Sequence, residues 1–226
     1  MAGVLYAIPT PLGARAEESL AVSALLTVRS LRDFAVENAK SARAFLSASG
    51  CDPKLVSIHQ IGDDIDSLLQ PLREGRPIGL LSEAGCPAIA DPGAKLIEAA
   101  HREGFRVVPL VGPSSIVLAL MASGLEGQRF AFCGYLPREK AEREKRIREL
   151  EQRSRREVET QIFIETPYRN DALLAALLET CAPETRLCVA IDLTLAKESV
   201  ATMRVSAWQR SRPAIGKRPA VFLLQS

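Results

Sequence analysis

The sequence predicts an α/β fold made of two domains, and three observations predict it. Short runs of Val, Ile, Leu and Phe alternate with longer stretches of helical pattern along the 226 residues. The run Ile78-Gly79-Leu80-Leu81 is continuously apolar, as suits a strand covered on both faces. A Gly-Pro turn near residues 111–115 separates two α/β blocks, which divides the chain into 1–112 and 113–226. Apolar residues make up 47% of the chain, enough to give each block a core.

Each element has its own signal. Val4-Leu5-Tyr6-Ala7-Ile8 reads as the first strand, closed by Pro9-Thr10-Pro11-Leu12-Gly13. A helix from about Glu17 to Val28 follows, then a strand near Asp33 to Val36. The next helix ends at Gly50, a natural left-handed terminator. Val56-Ser57-Ile58 suggests a strand, and a helix from about Asp63 to Arg73 stops at Gly75. After the strand Ile78–Leu81 comes a helix with Asp91 at its N-cap, Pro92 in its first turn and Gly104 at its end. Arg106 to Leu110 is a strand. Gly112-Pro113-Ser114-Ser115 opens an apolar helix that Gly124 closes, and Phe130-Ala131-Phe132-Cys133 is the next strand.

The composition then changes. Residues Arg138 to Glu159 carry nine basic and seven acidic side chains and no aromatic. Two readings fit: a solvated helix laced with ion pairs four residues apart, which charge pattern favours, or a helix that touches RNA. Thr160 to Ile164 is a strand, Asn170 to Cys181 a helix, and Leu187 to Leu193, Ser199 to Val205 and Ala220 to Leu224 are strands.

Several function classes fall away. The 29 Lys and Arg nearly balance the 27 Asp and Glu, so the chain has no strongly basic coat for nucleic acid, although a local patch remains compatible. No apolar run reaches the roughly 18 residues of a membrane span, and the start of the chain lacks the pattern of a secretory signal. Cys51, Cys86, Cys133, Cys181 and Cys188 are widely spaced and odd in number, which points to a reducing cytoplasm without a disulfide framework. With only His59 and His101 besides, no metal site is expected. The motifs HExxH, GxxxxGK[ST] and GxGxxG are absent.

Three loops are richer in small residues than a connection requires: residues 9–13, 82–93 and 112–115. Each follows a predicted strand. In open α/β sheets the loops at the carboxyl ends of strands line the ligand crevice, and small residues let backbone groups approach a ligand closely.

These loops carry a resemblance. LYAIPTPLG from Leu5, LLSEAGCPAIADPG from Leu80, VVPLVGPSSIVLALMASGL from Val107, FAFCGYLPR from Phe130 and IFIETPYR from Ile162 occur in the order found in one family. The chain resembles the tetrapyrrole-methylase class of S-adenosylmethionine (SAM) methyltransferases. It is most similar to the branch that methylates the ribose 2′-hydroxyl of a cytidine in small-subunit ribosomal RNA. The resemblance implies two α/β domains with SAM in the cleft between them, a homodimer, and an enzyme of the cytoplasm that meets ribosomal RNA or the small subunit. It also implies that Pro11, Cys86, Ile89, Ser115, Ile116, Thr166 and Ala190 contact the cofactor. Ser114 and Ser115 can equally cap their helix, and Cys86 can be a small buried hydrophobe.

The chain departs from that branch on the acceptor side. An acidic-Asp-Thr-Arg segment stands here as Glu37-Asn38-Ala39-Lys40. Ser-Asp-Ala-Gly-Thr-Pro stands as Ser82-Glu83-Ala84-Gly85-Cys86-Pro87, and Leu195 takes the place of a Lys. The C-terminal extension of longer members does not follow the last strand. Glu37, Asn38 and Lys40 are therefore candidate acceptor contacts. A ribose hydroxyl is a poor nucleophile, so a base or a stabilising cation helps it. Candidates are Glu37, Glu83, Arg138, Glu165, Arg169 and Lys197, and each is also a plausible surface charge. Tyr135 and Tyr168 can stack on a base or pack beside Pro137 and Pro167. The wider class also methylates small macrocycles, and a non-catalytic SAM-binding module is compatible with the altered acceptor residues.

Overall fold

In a computed structural model of the chain, residues 3–62, 64–211 and 213–226 are described. The chain divides into two units, one ending at Ser114 and the other running from Ser115 to Ser226.

The first unit follows the order β1 (Val4–Ile8), α1 (Ala16–Ser19), α2 (Val22–Ser30), β2 (Asp33–Val36), α3 (Ala39–Ala48), β3 (Ser57–Gln60), α4 (Ile65–Leu68), α5 (Gln70–Arg73), β4 (Ile78–Leu81), α6 (Ala94–Arg102) and β5 (Arg106–Pro109). Its sheet has the order β3-β2-β4-β1-β5, every neighbouring pair parallel. All carboxyl ends of the strands therefore lie along one edge. Ala35, Leu80 and Leu5 pack on one face with Leu72 and Leu96, while Phe34, Val36, Leu81 and Ile8 pack on the other with Val28 and Leu46. Burial on both faces is why β4 is apolar throughout. Gly79 makes room for this packing. A Cβ there would sit 2.7 Å from a Phe34 ring carbon and 2.8 Å from Ile8 Cδ1.

The second unit follows α7 (Ser115–Ser123), β6 (Phe130–Tyr135), α8 (Lys140–Glu157), β7 (Thr160–Ile164), α9 (Asn170–Thr180), β8 (Arg186–Ile191), β9 (Ser199–Arg204), α10 (Val205–Ser211) and β10 (Ala220–Gln225). Its sheet is mixed, in the order β6-β7-β10-β8-β9. β6 and β7 run parallel, and β10 runs antiparallel to both β7 and β8. β10 is buried at all six residues. Phe222 of β10 faces Phe163 of β7, their rings stacked 6.0 Å apart at 4°. Such an aromatic cross-strand pair adds packing beyond the area it covers.

The structure corrects several expectations. The helix expected from Glu17 to Val28 is broken at Leu20, whose extended backbone turns its side chain in against Ala16 and Leu25. The helix expected from Asp63 to Arg73 is two four-residue turns, α4 and α5, and Asp63 lies outside the described residues. Pro71 explains the break, because it has no N–H to continue α4. The strand read at Val56–Ile58 runs from Ser57 to Gln60. Asp91 does not cap α6. The chain enters that helix through Gly93 at φ +130°, with no side-chain cap, and Asp91 lies upstream in the loop. The sequence reading also missed α10, a short helix without a cap signal, held where the Trp208 indole N–H donates to the Leu187 carbonyl at 2.8 Å.

Candidate active site

The three small-residue loops of the first unit follow β1, β4 and β5, so the parallel sheet brings them to one edge. They are bonded to each other. Thr10 and Gly85 exchange backbone hydrogen bonds, N–H of Thr10 to the Gly85 carbonyl at 2.9 Å and N–H of Gly85 to the Thr10 carbonyl at 3.0 Å. The Thr10 hydroxyl donates to the Ser82 carbonyl at 3.3 Å, and the Ser82 hydroxyl to the Gly85 carbonyl at 2.9 Å. The Cys86 thiol donates to the Pro113 carbonyl at 3.5 Å, which ties in the third loop. Gly112 is required by proximity. A Cβ there would sit 2.5 Å from Pro9 Cβ, and neither backbone nor pyrrolidine ring can yield. Pro11, Cys86 and Ile89 are thus assembled within one stitched set of loops.

The middle loop is strained. Ala88 and Ala90 both adopt left-handed backbone at φ 65°, a conformation that costs a residue with a Cβ about 1–2 kcal/mol. Strain of this kind concentrates at functional sites and persists only where surrounding bonds over-determine it. Between the two alanines, Ile89 is 48% exposed.

Beside these loops lies a group of carboxyls. Glu37 follows β2, Glu83 follows β4, and Asp91 sits further along the middle loop. Burial, then the charge of Glu83, raises Glu37 above the usual carboxylate range, while a hydrogen bond from the Glu83 backbone N–H offsets part of this. Glu37 Oε2 is buried without a hydrogen-bond partner. Burial, then the charges of Glu37 and Glu83, pushes Asp91 up to about 6. Glu83 accepts a hydrogen bond from the Ser41 hydroxyl at 3.1 Å. Asn38 caps α3, accepting from the backbone N–H of Lys40 at 2.9 Å and of Ser41 at 3.3 Å. Asp91 was missed as a site residue because its position before a helix suits a cap. Its placement in one small-residue loop with Glu83 was the signal that could have found it. The Cys86 thiol, in contrast, is no nucleophile. Burial pushes its pKa up, against the opposing pull of a bond to Ser114, and a thiol is far less reactive than a thiolate.

In the second unit, Ile164 at the end of β7 and Ala190 in β8 both pair with Val221 of β10, so Thr166 and Ala190 lie toward the same edge. Ser115 and Ile116 open α7. Ala190 is buried with sheet partners on both sides. The Glu165 side chain is 1% exposed and forms an ion pair with Arg169 at 2.7 Å. Its other oxygen accepts from the Thr166 backbone N–H at 2.7 Å. Glu165 and Arg169 therefore neutralise each other and fix the turn that carries Thr166. Tyr168 is 79% exposed, with Lys217 Nζ 5.0 Å from its ring centre, and Tyr135 is 56% exposed. Arg138 and Lys197 are exposed as well, and their carbonyls accept from Arg143 and Arg218. The turn after β8 has Asp192 and Thr194 at φ 51° and 70°, pinned by the Asp192–Arg218 ion pair at 2.6 Å. Two hollows lie apart from these loops. One is beside α9 at Asp171 and Leu174, the other at the opposite ends of β2 and β3 around Asp33 and Ser57.

The stitched loops fit SAM. They offer closely approachable backbone, apolar surface at Ile89, and nearby carboxyls for a cationic sulfonium and amino group. Among the described residues, no group of three or more His, Cys, Asp or Glu is arranged to hold a metal ion, and no helix is long and apolar enough to cross a membrane.

Comparison with known proteins agrees. Residues 12–208 match the family model for tetrapyrrole (corrin/porphyrin) methylases. A Neisseria meningitidis protein named ribosomal RNA small subunit methyltransferase I is 34% identical over 218 residues, which is 96% of this chain and 72% of that protein. The protein of the same name from Halalkalibacterium halodurans is 37% identical over 169 residues, 74% of this chain and 56% of that protein. Among solved structures, the methyltransferase CobJ superposes with a TM-score of 0.66 at 17% identity, covering 100% of this chain and 95% of that one. The cobalt precorrin-4 methyltransferase CbiF gives 0.63 at 14% identity, covering 98% and 94%. These two likenesses concern the fold. The chain belongs to the tetrapyrrole (corrin/porphyrin) methylase family of SAM-dependent methyltransferases.

Proposed function

We propose that this chain transfers a methyl group from SAM to small-subunit ribosomal RNA, at the ribose 2′-oxygen of a cytidine. The observation that carries the reading is 34% identity across 96% of the chain to a protein named for that ribosomal RNA. Bound SAM supplies a methyl carbon already activated by positive sulfur. In our reading Pro11, Cys86 and Ile89 of the first unit hold it, with Ser115, Ile116, Thr166 and Ala190 of the second. The chain's own task is alignment and exclusion of water. Asp91 is the carboxyl best matched to accept the hydroxyl proton, since a base is most effective with its pKa near the working pH. Burial, with the charges of Glu37 and Glu83, keeps it there. The enzyme works as a homodimer in the cytoplasm, with residues 1–112 and 113–226 as its domains.

The second reading is methylation of a tetrapyrrole-like small molecule, favoured by the fold shared with CobJ and CbiF. Tritium transfer from labelled SAM separates the two. Small-subunit particles, naked ribosomal RNA and a small-molecule cell extract are offered in parallel. We expect label in RNA, recovered after digestion as 2′-O-methylcytidine. Label confined to the extract would establish the second reading, and label in none of the three would sink both.

A further inference from the structure

We propose that one face of α8 is a phosphate-binding stripe that positions RNA on the second unit. The inference rests on RNA being the acceptor and adds where the chain grips it.

α8 carries eight basic and five acidic residues over 18 positions. Its charges are not equivalent. Ile147, Leu150, Glu151 and Ser154 are buried and fix the inward face. Buried Glu151 is spent inside, accepting from the Ala182 backbone N–H at 2.8 Å and from the Thr185 hydroxyl. Arg146 is paired with Glu149 at 3.1 Å, Arg153 with Glu159 at 2.9 Å, and Lys140 more loosely with Glu144 at 3.7 Å. Lys145, Arg148 and Arg155 are exposed and have no carboxylate within ion-pair distance among the described residues. Arg155 donates to the Ser226 hydroxyl, at 3.0 and 3.2 Å.

These three and exposed Gln152 fall at spacings of 3, 4 and 3 residues. At 3.6 residues per turn they lie within about 80° of one another, in a strip centred about 130° around the helix from the buried residues, along about 15 Å of helix. The result is a narrow row of positive charge on a rigid element, in a chain whose net charge is only +2. Two of the three are arginines, whose planar fork suits phosphate oxygens. A membrane surface is a poorer partner, because Ile147 and Leu150, the large apolar side chains of α8, are committed to the core. The segment has no aromatic to stack on a base. The stripe therefore holds and orients RNA without reading its sequence.

Two triple variants with equal loss of charge test this: K145Q/R148Q/R155Q on the stripe, and K140Q/R146Q/R153Q among the paired residues. Binding to naked small-subunit ribosomal RNA is measured by filter retention across salt, alongside SAM affinity as a check of folding. We expect the stripe variant to bind RNA at least tenfold more weakly. The slope of log affinity against log salt should shrink by about 2, three phosphates at roughly 0.7 each for a single strand. SAM affinity should be unchanged, and the paired variant should lose less than twofold. Equal losses in both variants, or no loss in either, would overturn the stripe. Methyl transfer by the unmodified chain reports separately on the acceptor. RNA labelled by the stripe variant as fast as by the unmodified chain would remove the stripe and leave the proposed function standing.

Discussion

The Asp91 carboxyl shows how neighbours set the chemistry of one residue. Its pKa rises from 3.8 to about 6 because the group is partly buried and faces the charges of two other carboxyls. A raised acid favours the folded state when protonated. Folding free energy is therefore retained at and below pH 3.8 and lost as pH climbs toward about 6. With a discount for the water that still reaches the site, the loss is about 1 kcal/mol. Asp91→Asn should abolish that loss, so thermal melts should show the variant gaining on the unmodified chain from acid to neutral pH. The same change should slow methyl transfer at least tenfold, about 1.4 kcal/mol of transition-state stabilisation. A variant with an unaltered pH dependence of melting would remove Asp91 from the carboxyl group we describe.

Among the elements, α3 separates a structural role from an acceptor role. Asn38 satisfies two backbone N–H groups at its start. Asn38→Ala should cost about 1 kcal/mol in chemical denaturation, the usual worth of an N-cap. SAM affinity should stay within threefold, about 0.6 kcal/mol. A parallel fall in SAM affinity would place this segment on the cofactor side. The same element shows what a sequence can disclose. The strand before it and Gly50 after it, at φ +83°, were legible because apolar runs and left-handed glycines are local signals. The carboxyl group was not. Glu37 is far in sequence from Glu83 and Asp91, and only the parallel pairing of β2 with β4 brings it to their loop. The break at Leu20 was likewise hidden, since tertiary packing overrides a helical pattern, whereas Pro71 was a visible signal for the break between α4 and α5. Of the three small-residue loops, the sequence showed composition and order. It could not show the Thr10–Gly85 bridge that ties two of them together.

At the scale of the whole molecule, one apolar helix bears on assembly. α7 exposes Val117 at 48% and Met121 at 75%, one turn apart on an apolar helix. Paired apolar exposure of this kind suits a two-fold contact, the commonest symmetry of soluble oligomers. Light scattering should give about twice the chain mass of 24.5 kDa. V117E/M121E should halve it while circular dichroism stays unchanged. A monomer for the unmodified chain at micromolar concentration would overturn the dimer.

The buried central position of β10 has a consequence for how the chain is made. β6 and β7 are synthesised long before residues 220–225, yet β10 alone joins them to β8 and β9 in the sheet. Until that strand is made, Phe163 lacks its ring partner and β7 presents an open edge to its surroundings. The first unit carries no such debt, since its parallel sheet is complete within the first 114 residues. Translation thus imposes a sequence of events. The first unit can fold while elongation continues, whereas the second waits, exposed to chaperones and proteases, for β10. A pause or premature stop shortly before codon 220 would leave one half folded and the other a substrate for degradation.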